Sequence, residues 1–269
     1  MPANIREFHR ATTSARILEL LQRTNISTAA LVYGPRLPDA PHADIEAAVD
    51  VQPLGMNTVD AAGATIRIGG LTPLQALVES AALAAVADGI ITQAAALAAH
   101  FGLRNLATLA GAIDGATAQP PGPPEVLLAL LALGAEVSVL GGEDGALAMY
   151  RPAAQTLLQE VRLAAADPWH GALARVARSP LDQAIVAAVA AVSPTLARVA
   201  VAGAAPGPIV AEVKIDGSPD QAAAMLIAAV LTHAAPEGDY RGSVEYRRAM
   251  AEVLTRRALN QAFSQGANS

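Results

Sequence analysis

The side chains in this sequence that could do chemistry are few and scattered. The five histidines, His9, His42, His100, His170 and His233, include no i, i+4 pair and no carboxylate at ligand spacing. They read as surface or core residues, and no metal site is expected. No cysteine is present, which excludes disulfides, thiolate nucleophiles and any zinc or iron–sulfur centre held by this chain's own thiolates. Glu143-Asp144, flanked by glycines, reads as a solvated hairpin turn and not as an acid–base pair. Arg241, Arg247, Arg248, Arg256 and Arg257 gather near the end of the chain, where salt bridges and subunit contacts are the ordinary reading and phosphate binding the alternative. Gly203 to Pro208 lacks the Lys-Ser/Thr of a phosphate loop, and no Gly-x-Ser-x-Gly elbow occurs. No catalytic side chain is expected.

The composition sets the frame for those residues. There are 18 Lys+Arg against 24 Asp+Glu, a formal net charge of −6, and the basic residues are dispersed. That disfavours a nucleic-acid binder, which needs concentrated positive surface. With 53% hydrophobic and 16% charged residues, the chain can bury a large core and is not disordered. Aromatics are only 3%, so the apolar content is Ala, Leu and Val, which suits close packing of helices, sheets and subunits. Charges at Arg6, Glu7, Arg10, Arg16 and Glu19 interrupt any signal-peptide core, and the longest uncharged runs, Gln183 to Ala197 and Gln221 to Pro236, are too short to span a bilayer. No membrane span is expected, and a cytoplasmic address is the expectation.

The elements follow from periodicity and punctuation. Thr12, Thr13 and Ser14 offer N-caps to an amphipathic helix carrying Ile17, Leu18, Leu20 and Leu21. Short strands are predicted over 29–33, 48–51, 57–59 and 64–69, then a helix start at Thr72-Pro73 and helices to about His100. Phe101 to Pro124, with four glycines and four prolines, reads as a long structured loop. A helix over 125–133, a strand over 135–140 with a hairpin partner and a strand over 157–163 complete a first domain, 1–166. Four strands, 172–177, 185–192, 196–202 and 209–213, then helices over 219–233 and 243–263, give a second α+β domain, 167–269, with Trp169 at the junction.

Three ordered stretches carry a resemblance. They are Ile66-Arg67-Ile68-Gly69-Gly70-Leu71-Thr72, Leu103 to Gly111 followed by Pro123-Pro124-Glu125-Val126-Leu127-Leu128-Ala129-Leu130, and Asp239 to Arg248 with Arg256-Arg257-Ala258-Leu259. Together they resemble the FAD-binding (medium) subunit of the molybdenum hydroxylases, the carbon monoxide dehydrogenase and xanthine dehydrogenase group. The resemblance implies an α+β fold: a PCMH-type FAD-binding module of two α+β subdomains, then a C-terminal domain of antiparallel sheet and helices. It implies FAD as cofactor, with a molybdenum-cofactor large subunit and an iron–sulfur small subunit as partners.

The flavin turns are where the sequence departs from that family. Its pyrophosphate lies on two Gly-rich turns whose backbone N–H groups face the phosphate, which requires close approach and free donors. In the first, Val32-Tyr33-Gly34-Pro35-Arg36, Tyr33 replaces a glycine and Pro35 has no N–H, leaving Gly34 and the Arg36 charge. In the second, Asn105, Thr108 and Gly111 persist, but Ala107, Ala110 and Ala112 stand where the family has Gly, Gly and Asn. The family's acidic residue aligns with 117–121, where no carboxylate stands, and Asp114 takes that role only if the loop is redrawn. The candidate cofactor residues are thus Gly34, Arg36, Asn105, Thr108, Gly111 and Asp114. Each lost hydrogen bond costs ~1 kcal/mol, so the losses predict weak flavin binding or none. Two readings stand: a flavin-poor subunit with a structural or assembly role in this or a different complex, and a working FAD subunit passing electrons between an iron–sulfur subunit and an acceptor.

Overall fold

The computed structural model describes residues 5–33, 45–61, 63–118, 125–164, 168–180 and 182–267. Strands β1 (Glu7–Arg10), β2 (Thr28–Ala30) and β3 (Ala47–Asp50) form a parallel sheet in the order β1-β3-β2, with Ala47 in register with both Glu7 and Thr28. Helix α1 (Ser14–Leu21) begins where the hydroxyl run predicts, Thr13 Oγ1 accepting from Arg16 N at 3.3 Å. Its buried Ile17, Leu20 and Leu21 pack with Val49, Val51, Leu71 and Leu157. Strand β1 is absent from the sequence reading, because an edge strand reading Glu-Phe-His-Arg has no apolar alternation on a buried face. Its Glu7 carboxylate accepts from Arg23 Nη1 and lies against His9 Nε2, each at 2.7 Å, and the Arg23 bond, then the His9 bond, hold it below the usual carboxylate range. Strand β2 is shorter than the 29–33 expected: Val32 N turns back onto Ala30 O and leaves the ladder.

An antiparallel sheet follows, order β4-β5-β8-β6-β7, from β4 (Val59–Asp60), β5 (Thr65–Gly69), β6 (Glu136–Leu140), β7 (Gly145–Ala146) and β8 (Leu157–Ala164). Period-2 alternation puts Ile66, Ile68, Val137, Val161 and Leu163 on one buried face. The charged Glu143-Asp144 pair serves the β6–β7 turn: Asp144 Oδ1 accepts from Val139 N and Ser138 Oγ, each at 3.0 Å. Against the buried face pack α2 (Leu74–Glu79), α3 (Ala81–Ala84), α4 (Ile90–Ala98), α6 (Leu109–Ala118) and α7 (Glu125–Ala132), while α5 (Phe101–Leu106) lies outside them against α2. Pro73 occupies the N-cap position of α2, while the Thr72 hydroxyl donates to Thr58 O at 3.2 Å instead of capping the helix.

Helix α7 is buried along its whole length, as a helix apolar on every side must be. Its second neighbour is an antiparallel sheet, order β12-β11-β10-β9, from β9 (His170–Val176), β10 (Val186–Val192), β11 (Leu196–Ala202) and β12 (Ile209–Lys214). In β10, Ala187, Val189 and Ala191 join the core around α7, while Val186, Ala188, Ala190 and Val192 join the core under α8 (Pro219–His233) and α9 (Val244–Ala267). The run Val-Ala-Ala-Val-Ala-Ala-Val is therefore a strand buried on both faces, with alanine letting helices approach closely. Trp169 is buried in the α7 core beneath the Arg198 guanidinium, 5.3 Å from the ring centroid. Glu125 and Arg175 form an ion pair at 2.8 Å across the same seam, 4% and 12% exposed. Arg247 is buried and fully used, bonding Asp239 Oδ1 at 2.7 Å and Ile185 O at 2.8 Å. Among the described residues no helix is long and apolar enough to cross a membrane.

One expectation needs correction. The stretch 101–118 is two helices, α5 and α6, and not a loop. Glycine at 102, 111 and 115 lowers helix propensity by about 1 kcal/mol each, but burial of Leu109, Ala110, Ala112 and Ile113 outweighs it. The four prolines that coloured the reading all fall at 120–124, outside the described residues.

Candidate functional site

The second glycine turn becomes the N-terminus of α6. A helix start offers up to four unused N–H groups, the ready-made seat for a phosphate. Here each has an acceptor within the chain. Leu109 N donates to Thr72 O at 2.9 Å, Ala110 N to Gly70 O at 2.7 Å, Gly111 N to Thr108 Oγ1 at 3.1 Å and Ala112 N to Thr108 O at 2.9 Å. The amide just before them, Thr108 N, donates to Tyr33 O at 2.7 Å. Thr108, Leu109, Ala110, Gly111 and Ala112 are all buried. The motif Gly69-Gly70-Leu71-Thr72 is what closes the turn. Gly69 and Gly70 lie so close to the Met56 and Leu158 carbonyls that a Cβ at either would collide with backbone.

The candidate residues separate accordingly. Thr108 and Gly111 are brought together, as cap and capped amide. Asn105 is exposed on α5, its amide donating to Phe101 O at 2.9 Å. Asp114 lies one turn along α6, where Tyr150 donates to Oδ1 at 2.9 Å. Burial pushes the Asp114 carboxyl up to about 6 against the lowering effect of that bond, and the Tyr150 phenol is raised by burial and then by the Asp114 charge. Gly34 and Arg36 lie outside the described residues. The sequence reading missed the carbonyls of Tyr33, Gly70 and Thr72 as partners of the turn, since backbone acceptors leave no trace in residue type. It also missed Tyr150, whose only sign is a tyrosine set among apolar residues.

An FAD pyrophosphate needs free donors at this turn, and the described residues of 108–112 offer none. The donor set at this turn does not fit the group. An open depression of about 360 Å³ lies on the other face of the β4–β8 sheet, lined by Met56, Arg67, Gly69, Ser138, Gln159 and Glu160 among others. The sheet separates it from α6, whose Leu109 and Ile113 pack on the buried face. Among the described residues no group of three His, Asp or Glu is placed to hold a metal ion.

The architecture is shared with solved oxidoreductase chains. A chain of the Cu,Mo-CO dehydrogenase in its cyanide-inactivated form superposes with a TM-score of 0.81 at 24% identity, covering 98% of this chain and 99% of that one. A chain of reconstituted CO dehydrogenase from Oligotropha carboxidovorans gives 0.80 at 23%, with 98% and 99% covered. One of quinoline 2-oxidoreductase from Pseudomonas putida 86 gives 0.78 at 18%, with 99% of each covered. At these identities the likeness establishes the fold: an α+β FAD-binding-type module followed by a sheet-and-helix unit. Residues 4–168 match the family described as FAD binding domain in molybdopterin dehydrogenase, and the chain belongs to that family. No curated protein sequence matches it.

Proposed function

We propose that this chain is a flavin-poor relative of the FAD-binding subunit of molybdenum hydroxylases, with an assembly or structural role in a multi-subunit complex in the cytoplasm. The reading divides it into a PCMH-like domain, 1–166, and a C-terminal domain, 167–269. The observation that carries the reading is the amide accounting at Thr108 to Ala112, where every donor a pyrophosphate would use already has a partner. Freeing those donors costs ~1 kcal/mol each; the Ala110 methyl adds bulk where the family has Gly, and Ala112 lacks the polar side chain of the family's Asn. In the sequence, Tyr33 and the imino acid Pro35 weaken the first Gly-rich turn in the same direction. The charge-poor composition, 16% charged residues, suits burial against other subunits. The resemblance to the medium subunit of the molybdenum hydroxylases makes a molybdenum-cofactor large subunit and an iron–sulfur small subunit the first partners to seek.

The second reading, an FAD-loaded electron-transfer subunit, is favoured by one observation: residues 4–168 retain the family pattern, with Thr108 and Gly111 in place. In that case the flavin supplies the redox step, and the chain would have to free the amides of 109–111 to hold it. The experiment is purification of the chain from its native source with whatever accompanies it. The proposal expects other subunits to travel with the chain and no flavin to be released from the purified material on heating. Stoichiometric FAD released on heating would contradict it.

A further inference from the structure

Between α3 and α4 the backbone makes a left-handed turn through three successive residues, Ala87 at φ 47°, Asp88 at φ 57° and Gly89 at φ 72°. Two of the three are not glycine, and each pays a steric penalty for its Cβ. Such residues persist only where their surroundings fix them. The surroundings here come from the far end of the sequence. Asp88 Oδ2 accepts from Gly171 N at 3.1 Å and lies 3.1 Å from His170 Nδ1, both at the start of β9. The Gln265 side-chain amide, near the end of α9, lies against Asp88 Oδ2 and Gly171 O, and in the amide orientation that satisfies both its O and its N the nitrogen donates to them at 3.3 and 3.0 Å. Gly171 is required by the same contact: a Cβ there would stand 2.7 Å from Ala87 O and 3.0 Å from the Ile90 side chain.

The turn leads straight into α4, and α4 holds the element that precedes the Thr108 turn. Arg104 on α5 donates through Nη1 to Ala96 O at 2.9 Å and to Ala99 O at 2.7 Å, and through Nε to Gln75 Oε1 at 2.9 Å. Helix α5 ends at Leu106, and Ala107 O accepts from Leu74 N at 2.9 Å. A continuous set of bonded elements therefore runs from β9 and α9 through Asp88, α4 and Arg104 to the start of α6.

We propose that Asp88, Gly171 and Gln265 form a clasp by which docking of the C-terminal sheet sets the position of α4 and, through Arg104, the closure of the Thr108 turn. A partner that pulls on the β9 or α9 end would loosen the amides of 109–111 at a distance. The proposal rests on the geometry of that turn and not on whether flavin binds there.

Amide hydrogen exchange on the full-length chain tests it with two variants. Asp88→Ala removes the carboxylate and keeps the Cβ penalty of the left-handed turn. Asp88→Gly also removes the carboxylate but relieves that penalty. In Asp88→Ala the Gly171 amide and those of Leu109 to Gly111 should exchange faster by about tenfold or more. In Asp88→Gly Gly171 should speed up as much, but the acceleration at 109–111 should be smaller than in Asp88→Ala, since glycine enters the left-handed turn without a Cβ penalty. Unchanged exchange at 109–111 in Asp88→Ala, or equal acceleration there in both variants, would overturn the coupling. Unchanged exchange at Gly171 in Asp88→Gly would overturn the clasp, even if the alanine variant failed to fold.

Discussion

Asp114→Asn should make the protein more stable at neutral and alkaline pH. The carboxyl is raised from its ordinary 3.8 to about 6, first by burial, with the Tyr150 bond working the other way. Because the folded state binds this proton more tightly than the unfolded one, its favourable contribution is whole below pH 3.8 and is lost as pH rises through about 6. The rise corresponds to about 3 kcal/mol, the burden the ionised side chain places on the fold once pH exceeds both values. Asparagine keeps an oxygen for the Tyr150 hydroxyl and cannot ionise. Urea unfolding should therefore show the variant ahead by about 1–3 kcal/mol at about pH 8, the gap closing towards about pH 4. A variant less stable than the parent at the upper pH, or a gap that does not change with pH, would refute the assignment of Asp114 to a desolvated site.

Two further expectations concern the seam and the turn. Glu125→Ala leaves Arg175 charged and nearly buried, so chemical denaturation should record a loss of about 3–5 kcal/mol, whereas a surface pair such as Arg256–Glu252 should cost less than about 1 kcal/mol. Thr108→Ala removes the acceptor of Gly111 N and should lower the urea midpoint by the equivalent of about 1–2 kcal/mol, while Thr108→Ser, which keeps the hydroxyl, should restore most of it.

Much of this fold was legible because its elements bury alternating or helical faces. The β10 run Val186 to Val192, the Ile66 and Ile68 alternation of β5 and the Thr13 cap of α1 were each read at close to their true positions. What escaped was set by distant partners. Strand β1 exists because β3 lies beside it, and α5 and α6 form in a glycine-bearing stretch because Arg104 and Leu109 find their contacts on other helices. At the candidate site, the replacement of glycines near Thr108 was visible in residue types. The destinations of the amides were not, since Gly70 O and Thr72 O are contributed by backbone nearly 40 residues earlier. The left-handed run at 87–89 was hidden only at Ala87, since Asp88-Gly89 is a dipeptide that favours positive φ whereas alanine gives no such sign.

The central claim is that the amides at the head of α6 are committed inside the chain. Following the backbone amide resonances of Thr108 to Ala112 while FAD is added tests it most directly. The account predicts slowly exchanging signals that do not move with added FAD. A saturable shift of those signals at one FAD per chain would contradict it.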